Sequence, residues 1–444
     1  MKKFILLNSP IFWDSTSEQE QYLSPLGLGY IATYLEKADI EVEVIDCVKM
    51  KKSVQEIITW LNIESPDYIG INIFTQNYDL VKCIIENIRI SCVCFIGGQA
   101  VKSIYRDILK WKSSNLLNII IGEGEFIIPA IVLGKCNQKP EVTLNKKYVY
   151  RVNKHSPFFP KDISEIFLNR KYLGNEIIIN HYNEKEAAII TSRGCMYNCA
   201  FCGDARSLNR DIPIRIRSTE SIVSEIRDII SLYPDVKCIR ILDDLFLRDG
   251  KSIDMANKIF SEFPQLSWRG MVHVLSLINN ITKADELPQS HCRELFIGIE
   301  SGSERVRKHI NKRGTKQEIL EVASAILKNN IDLKGYFIYG FPDETEEDFK
   351  ETYDLALRIK EISMKTGGQF RTSVFQFRPY HGTELYFEIE KKGGIMHPCV
   401  FNQSISQFEG RSQFNFSFGN YSLEPDNVLN DYIIKTQKLG EVHV

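Results

Sequence analysis

The sequence has no long run of charge of one sign, and its 55 basic and 57 acidic residues nearly cancel. An electrostatic case for nucleic acid or an anionic membrane surface is therefore missing, and a small or neutral substrate fits better. No stretch reaches the roughly 18 to 20 apolar residues that a membrane span needs, and repeats and low-complexity tracts are absent. The first 154 residues contain no histidine. The N-terminal apolar run, residues 4–7, is too short for a signal peptide and is followed by no small-residue cleavage site, so it reads as the first β-strand of a mature cytoplasmic protein.

What is present suggests two or three domains, since 444 residues exceed one ordinary core. The eleven cysteines are odd in number, and eight are scattered singly or within apolar strands, as Cys92 and Cys94 are in CVCFIGG. These are expected to be reduced, buried thiols in a reducing cytosol rather than a disulfide framework.

Residues 1–138 alternate apolar runs (FILLN, EVEVID, YIGINIF, CVCFIGG, NIIIGEG) with amphipathic stretches (GLGYIATYLEK, VQEIITWL, DLVKCIIENI, residues 100–109, FIIPAIVLG). Five strand–helix pairs with near-continuous apolar strands predict an α/β domain with a parallel, flavodoxin-like or Rossmann-like sheet. Its ligands would lie beyond the carboxyl ends of the strands, where Thr75, Gly97, Gly98, Gly122 and Glu123 fall. Residues 139–186 carry Pro140, Pro157 and Pro160 in mixed polarity and read as a linker with little regular structure. Residues 187–390 alternate again: AAIITSRG, KCIRILDDLF, LSWRGMVHV, ELFIGIES, GYFIYG and TSVFQFRPY as six strands, with helices over 219–232, 252–260, 303–327 and 346–362. That pattern predicts a partial (β/α)6 barrel whose chemistry sits at the carboxyl-terminal face of the strands. Residues 391–444 form a small C-terminal extension, irregular and aromatic until a short helix near 427–438.

The segment TSRGCMYNCAFCGDA places Cys195, Cys199 and Cys202 at Cys-x3-Cys-x2-Cys on one loop after a predicted strand. Three thiolates can bind three irons and leave a fourth iron open to a chelating ligand. A structural zinc site would need a fourth ligand, and neither Cys nor His occurs between Cys202 and Cys238.

Here the sequence resembles the radical S-adenosylmethionine superfamily, over about residues 186–390. The resemblance implies that the three cysteines hold a [4Fe-4S] cluster and that Phe201 lies beside the adenine of S-adenosylmethionine. ILDDLFL resembles the place where many members carry Gly-Gly-Glu against the methionine amino group, which makes Asp243 and Asp244 candidates, a capping role for one of them being the alternative. FIGIESGSERVRKHINKRGT resembles the segment that grips methionine carboxylate and ribose, with Glu300, Ser301 and Arg313, whereas Arg305 has the look of a surface residue. GYFIYGFPDET resembles the adenine motif over residues 335–342, with Gly340 allowing close backbone approach. RPYHGTELY resembles the last barrel strand's rim segment and brings His381 near the site.

The N-terminal domain resembles the cobalamin-binding domains attached to this superfamily, in SPLGLGYIATYLEK, FIGGQA and IIGEGE. The family's Asp-x-His-x-x-Gly motif is missing, so no residue before His155 can give cobalt an imidazole. The resemblance implies a cobalamin-dependent radical methylation of an unactivated carbon on a small-molecule or natural-product substrate, with an electron donor such as flavodoxin or ferredoxin as partner. Two alternatives stay open: a radical dehydration, rearrangement or ring formation on a cobalamin-free scaffold, and a non-enzymatic metalloprotein.

Overall fold

The computed structural model describes residues 2–10, 23–174, 176–394 and 419–440. Among these, two seven-stranded sheets organise the chain. In the first, β1 (Lys3–Asn8), β2 (Glu41–Asp46), β3 (Tyr68–Asn72), β4 (Val93–Gly97) and β5 (Leu116–Gly122) run parallel in the order β2-β1-β3-β4-β5, the expected flavodoxin-like arrangement. Successive residues of β1 go to opposite cores, Phe4 and Leu6 to one and Ile5 and Leu7 to the other. With helices on both faces, the inner strands must be largely apolar, which is why β1, β3, β4 and β5 read as near-continuous runs, whereas the edge strand β2 alternates and exposes Glu41 and Glu43.

The sheet extends further than the prolines of 139–186 suggested. β6 (Val142–Leu144) and β7 (Lys147–Val152) continue it, β7 parallel to β5 and β6 antiparallel to β7. Pro140, Pro157 and Pro160 flank this segment without interrupting it, and Val149 and Val152 are buried in the two cores of the sheet.

The second sheet contains β8 (Ile178–Ile179) and β9 (Lys185–Ile189). A small antiparallel pair, β10 (Ser192–Arg193) and β11 (Arg215–Ile216), follows. The large sheet resumes with β12 (Cys238–Ile241), β13 (Ser267–Val272), β14 (Cys292–Glu300), β15 (Asp332–Tyr339) and β16 (Phe370–Gln376). Strands β9-β12-β13-β14-β15-β16 are parallel and in sequence order, with β8 antiparallel at the edge of β9. This is the expected partial barrel, curled by the twist that parallel strands impose. Helices Thr219–Leu232, Gly250–Phe260, Lys316–Lys328 and Glu346–Ser363 bury their apolar sides on one continuous core. Each has an N-cap side chain that accepts a backbone N–H: Ser218, Asp249, Thr315 and Thr345. The C-terminal helix, Asp426–Lys438, lies on β15 and β16, with Leu429 in that core. Most of the aromatic tail expected before it, residues 395–418, lies outside the described residues.

Charges are buried between the barrel strands. Arg269 Nη1 donates to Glu186 (2.7 Å) and Nη2 pairs with Glu294 (2.8 Å), and Arg371 also pairs with Glu294 (2.8 Å). Burial pushes the Glu294 carboxyl up, but Arg371 and then Arg269 outweigh it and hold it below the ordinary carboxylate range. Removing one partner of such a network strands the others without solvent, so Arg269→Met is expected to destabilise the protein by about 3–5 kcal/mol, measured by urea denaturation at neutral pH.

Candidate cofactor site between the two sheets

β10 leads into the loop that carries Cys195, Cys199 and Cys202, all free thiols. The loop turns tightly: Cys202 N–H donates to the Cys199 carbonyl (3.1 Å), and Asp204 N–H donates to Cys202 Sγ (3.4 Å). Burial pushes all three thiols up, so a metal must displace their protons to recruit them. Among the described residues no three His, Cys, Asp or Glu side chains are gathered to hold a single ion. Three separated sulfurs on one loop are a donor set that fits an iron–sulfur cluster.

Around this loop the barrel strands end in polar and aromatic groups. Phe201 packs edge-on against Phe341 (centroids 5.6 Å apart), which joins the cluster loop to the end of β15. There Gly340 has φ +89°, and its N–H and that of Phe341 both donate to Glu344 Oε2 (2.7 and 2.9 Å). At the end of β12 the two aspartates divide. Asp243 is buried and accepts from Thr191 N–H, Thr191 Oγ1 and Ser192 Oγ (2.5–2.6 Å), so its carboxylate anchors the segment before the cysteines. Among the described residues Asp244 accepts only a long bond from Gly194 N–H (3.3 Å), and it faces a cavity. Enclosure by protein, then Asp204 and Asp243, pushes its carboxyl up to about 7.

Glu300, at the end of β14, sits at φ +64° after a bulge and receives the buried Lys312 ammonium at 2.9 Å. Gly298 makes room for the pair, because a Cβ there would meet Glu300 Oε1 at 2.4 Å. Ser301 points inward instead, bonded to Thr352 Oγ1 (3.0 Å) and to Ser303 N–H (3.1 Å). Arg313 is exposed, and Arg305 pairs with Asp348. Sequence reading passed over His273, which follows β13 and stacks on Tyr197 of the cysteine loop at 3.7 Å.

A cavity of about 750 Å³ lies between the carboxyl ends of the first sheet and the cysteine loop. Gly97, Gly98, Gly122 and Glu123 line one side, and Cys202, Asp204 and Asp244 the other. A Cβ at Gly97 would meet nothing within 4 Å, so the backbone there borders open space. Gly98 and Gly122 have φ +110° and +102°, and a Cβ would strike the Ile73 and Val152 carbonyl oxygens at 2.6 and 2.3 Å. Thr75 is absent from the lining, whereas Glu123 borders the cavity and is also paired. Thr75 Oγ1 accepts from His381 N–H (3.1 Å), and Glu123 pairs with Arg193 (2.9 Å) and Arg215.

Residues 189–356 match the family profile described as the Radical SAM superfamily, and residues 16–132 that of the B12 binding domain. The chain is a radical S-adenosylmethionine enzyme with a B12-binding domain. It is similar to an uncharacterized methyltransferase of Pyrococcus horikoshii, 27% identical over 378 residues, which cover 82% of this chain and 77% of the relative. Its fold is that of the radical S-adenosylmethionine methyltransferase TsrM of Kitasatospora setae, solved with cobalamin and a [4Fe-4S] cluster bound: TM-score 0.64 at 14% identity, covering 99% of this chain and 89% of that one. The cobalamin-dependent S-adenosylmethionine radical enzyme OxsB shares the fold at TM-score 0.58 and 19% identity, over 80% of this chain, which spans about half (52%) of OxsB.

The cofactors of this enzyme class are the [4Fe-4S] cluster, S-adenosylmethionine and cobalamin, and the residues present fit them. The three thiols suit the cluster, and the glycine-edged cavity, whose exposed lining is mostly apolar, suits a corrin. Lys312 and Glu344 are the further polar groups that sequence reading missed. Each lies within a segment already singled out, and each becomes conspicuous only once it is known to be buried against Glu300 or Gly340.

Glu344 yields a pH prediction. Burial, only partly offset by the two N–H donors, pushes its carboxyl from 4.5 up to about 8, and its Oε1 has no hydrogen-bond partner among the described residues. The folded state therefore favours the protonated acid, a contribution fully present below pH 4.5 and lost as pH rises through about 8. Glu344→Gln keeps an acceptor for both N–H groups and cannot ionise. Relative to the parent it is expected to gain up to about 1.4 kcal/mol of stability per pH unit across that window, measured by denaturation at pH 5 and pH 8.

Proposed function

We propose that this enzyme methylates an unactivated carbon of a small-molecule substrate, with the B12-binding unit at residues 1–138 and the radical core at 187–390. The observation that carries the reading is the shared cavity, in which the glycine edge of the first sheet faces Cys202 and Asp244 across one space. A methyl donor and a radical source must act on the same carbon in turn, and one cavity bounded by both supplies that proximity. The methyltransferase relative of Pyrococcus horikoshii and the bound cofactors of TsrM support the same reading.

When bound, the cluster and S-adenosylmethionine supply a 5'-deoxyadenosyl radical and cobalamin supplies the methyl group. The chain's own residues bind and orient. Cys195, Cys199 and Cys202 hold iron. Asp244, free of strong partners, receives the methionine ammonium, while Asp243 fixes the loop beside it. Glu300, aimed by Lys312, accepts ribose hydroxyls, and Arg313 reaches the methionine carboxylate. Phe201 and the Gly340 turn flank adenine. Gly97, Gly98 and Gly122 allow the corrin to approach the backbone, and cobalt has no histidine ligand from this domain. The reductant is a flavodoxin- or ferredoxin-like one-electron donor, and the setting is the cytoplasm, in keeping with the free thiols.

Anaerobic incubation with candidate substrates and methyl-labelled S-adenosylmethionine should transfer label to product carbon. Release of 5'-deoxyadenosine with an unlabelled, dehydrated or cyclised product would replace methylation by another radical outcome. The parent should carry about four iron and four sulfide per chain, lost in the Cys195→Ala, Cys199→Ala, Cys202→Ala variant; zinc in their place would overturn the ligand assignment. Gly298→Ala, which displaces Glu300, is expected to weaken S-adenosylmethionine binding by about tenfold, the worth of one charge-assisted hydrogen bond, read by equilibrium binding.

A further inference from the structure

The cysteine loop is held at both ends by the other domain. Upstream, Arg193 pairs with Glu123 (2.9 Å) and Glu125 (2.8 Å). Downstream, Gln99 Nε2 donates to Asp204 Oδ2 (2.9 Å), and Lys102 Nζ donates to the Gly203 carbonyl (2.8 Å) and to Asn209 Oδ1 (2.9 Å). The fit is close enough that a Cβ at Gly203 would meet the Gln99 side chain at 2.8 Å.

Lys102 is the unusual member of this set. It stands in the first turn of helix Val101–Ile108 and is half-buried, and both of its bonds go to neutral oxygens, so among the described residues no contact ion pair absorbs its charge. Burial pulls its ammonium down, while Asp204, Cys202, Asp244 and Asp211 favour the charged form. The carbonyl that it binds belongs to the residue immediately after Cys202. A lysine on a helix of the B12-binding domain thus brings positive charge to the edge of the metal loop in a partly desolvated place, where Coulomb interactions are weakly screened.

We propose that Lys102 sets the reduction potential of the [4Fe-4S] cluster held by Cys195, Cys199 and Cys202. Reduction adds one electron, taken from a one-electron donor that is oxidised by one, and no bond or proton need change hands. The added negative charge is stabilised by the nearby ammonium, which raises the potential; net charge and local polarity are among the levers by which proteins tune such clusters. The N-terminal domain then decides how easily the radical reaction starts, besides binding its own cofactor. The inference rests on the cysteine ligation proposed above.

The test is a redox titration of the reconstituted full-length protein, followed by electron paramagnetic resonance of the reduced cluster, in the parent, Lys102→Arg, Lys102→Gln and Lys102→Met at matched iron and sulfide content. The Gln and Met variants are expected to titrate at a more negative midpoint potential, and Arg, which keeps the charge, close to the parent. Gln and Met titrating with the parent, or Arg shifting as far as Met, would overturn the role of the charge. A parent without iron and sulfide would overturn the ligation as well, whereas a parent with a full cluster and unmoved variants would overturn the Lys102 role alone.

Discussion

The arrangement depends on the cysteine loop being gripped between two domains. The loop is irregular, so its own hydrogen bonds fix its turns but cannot fix its place over the barrel. Arg193 to Glu123 and Glu125 at one end, with Lys102 and Gln99 to Gly203 and Asp204 at the other, provide that fixation from the first sheet. The same contacts close the cavity on one side, which makes the position of the loop and the shape of the space between the sheets one structural fact. Arg215, bonded to Glu123 and to the Pro160 carbonyl, ties in the segment that connects the domains.

Behind the loop, the barrel supplies rigidity through charge as well as apolar packing. The Arg269, Glu186, Glu294 and Arg371 network lies deep among the strands, away from the cysteines. Buried pairs of this kind contribute little net stability over apolar packing, since desolvation offsets most of the attraction, but they penalise any register that separates them. A second clamp works at the other end of β14: fully buried Arg307 donates to the carbonyls of Ile299, Ser301, Arg313 and Gly314. It fixes the segment that carries Glu300, Lys312 and Arg313 relative to the strand.

Polar groups that look equivalent in the chain therefore do different work. Asp243 and Asp244 are neighbours, yet one is saturated by Thr191 and Ser192 and the other looks into the cavity. Glu300 and Ser301 are neighbours too, and the bulge with φ +64° at Glu300 turns one toward Lys312 and the other into the barrel wall.

The sequence by itself determined both sheets, because apolar strand runs recur between amphipathic helical stretches; β1 to β5 and all six barrel strands were legible for that reason, although β2 and β16 also carry polar residues at exposed or half-buried positions. It also determined the cluster loop, since three cysteines on one loop are a local pattern. Strand β7 and the edge strand β6 were not legible, because two buried valines, Val149 and Val152, among prolines carry no period. Tertiary structure alone decided which of the named polar residues face the cavity, that Thr75 and Glu123 serve the domain contact, and that His273, Lys312, Glu344 and Lys102 matter. Burial, desolvation and pairing across a hundred residues of chain are properties of the packed molecule, and no local stretch of sequence encodes them.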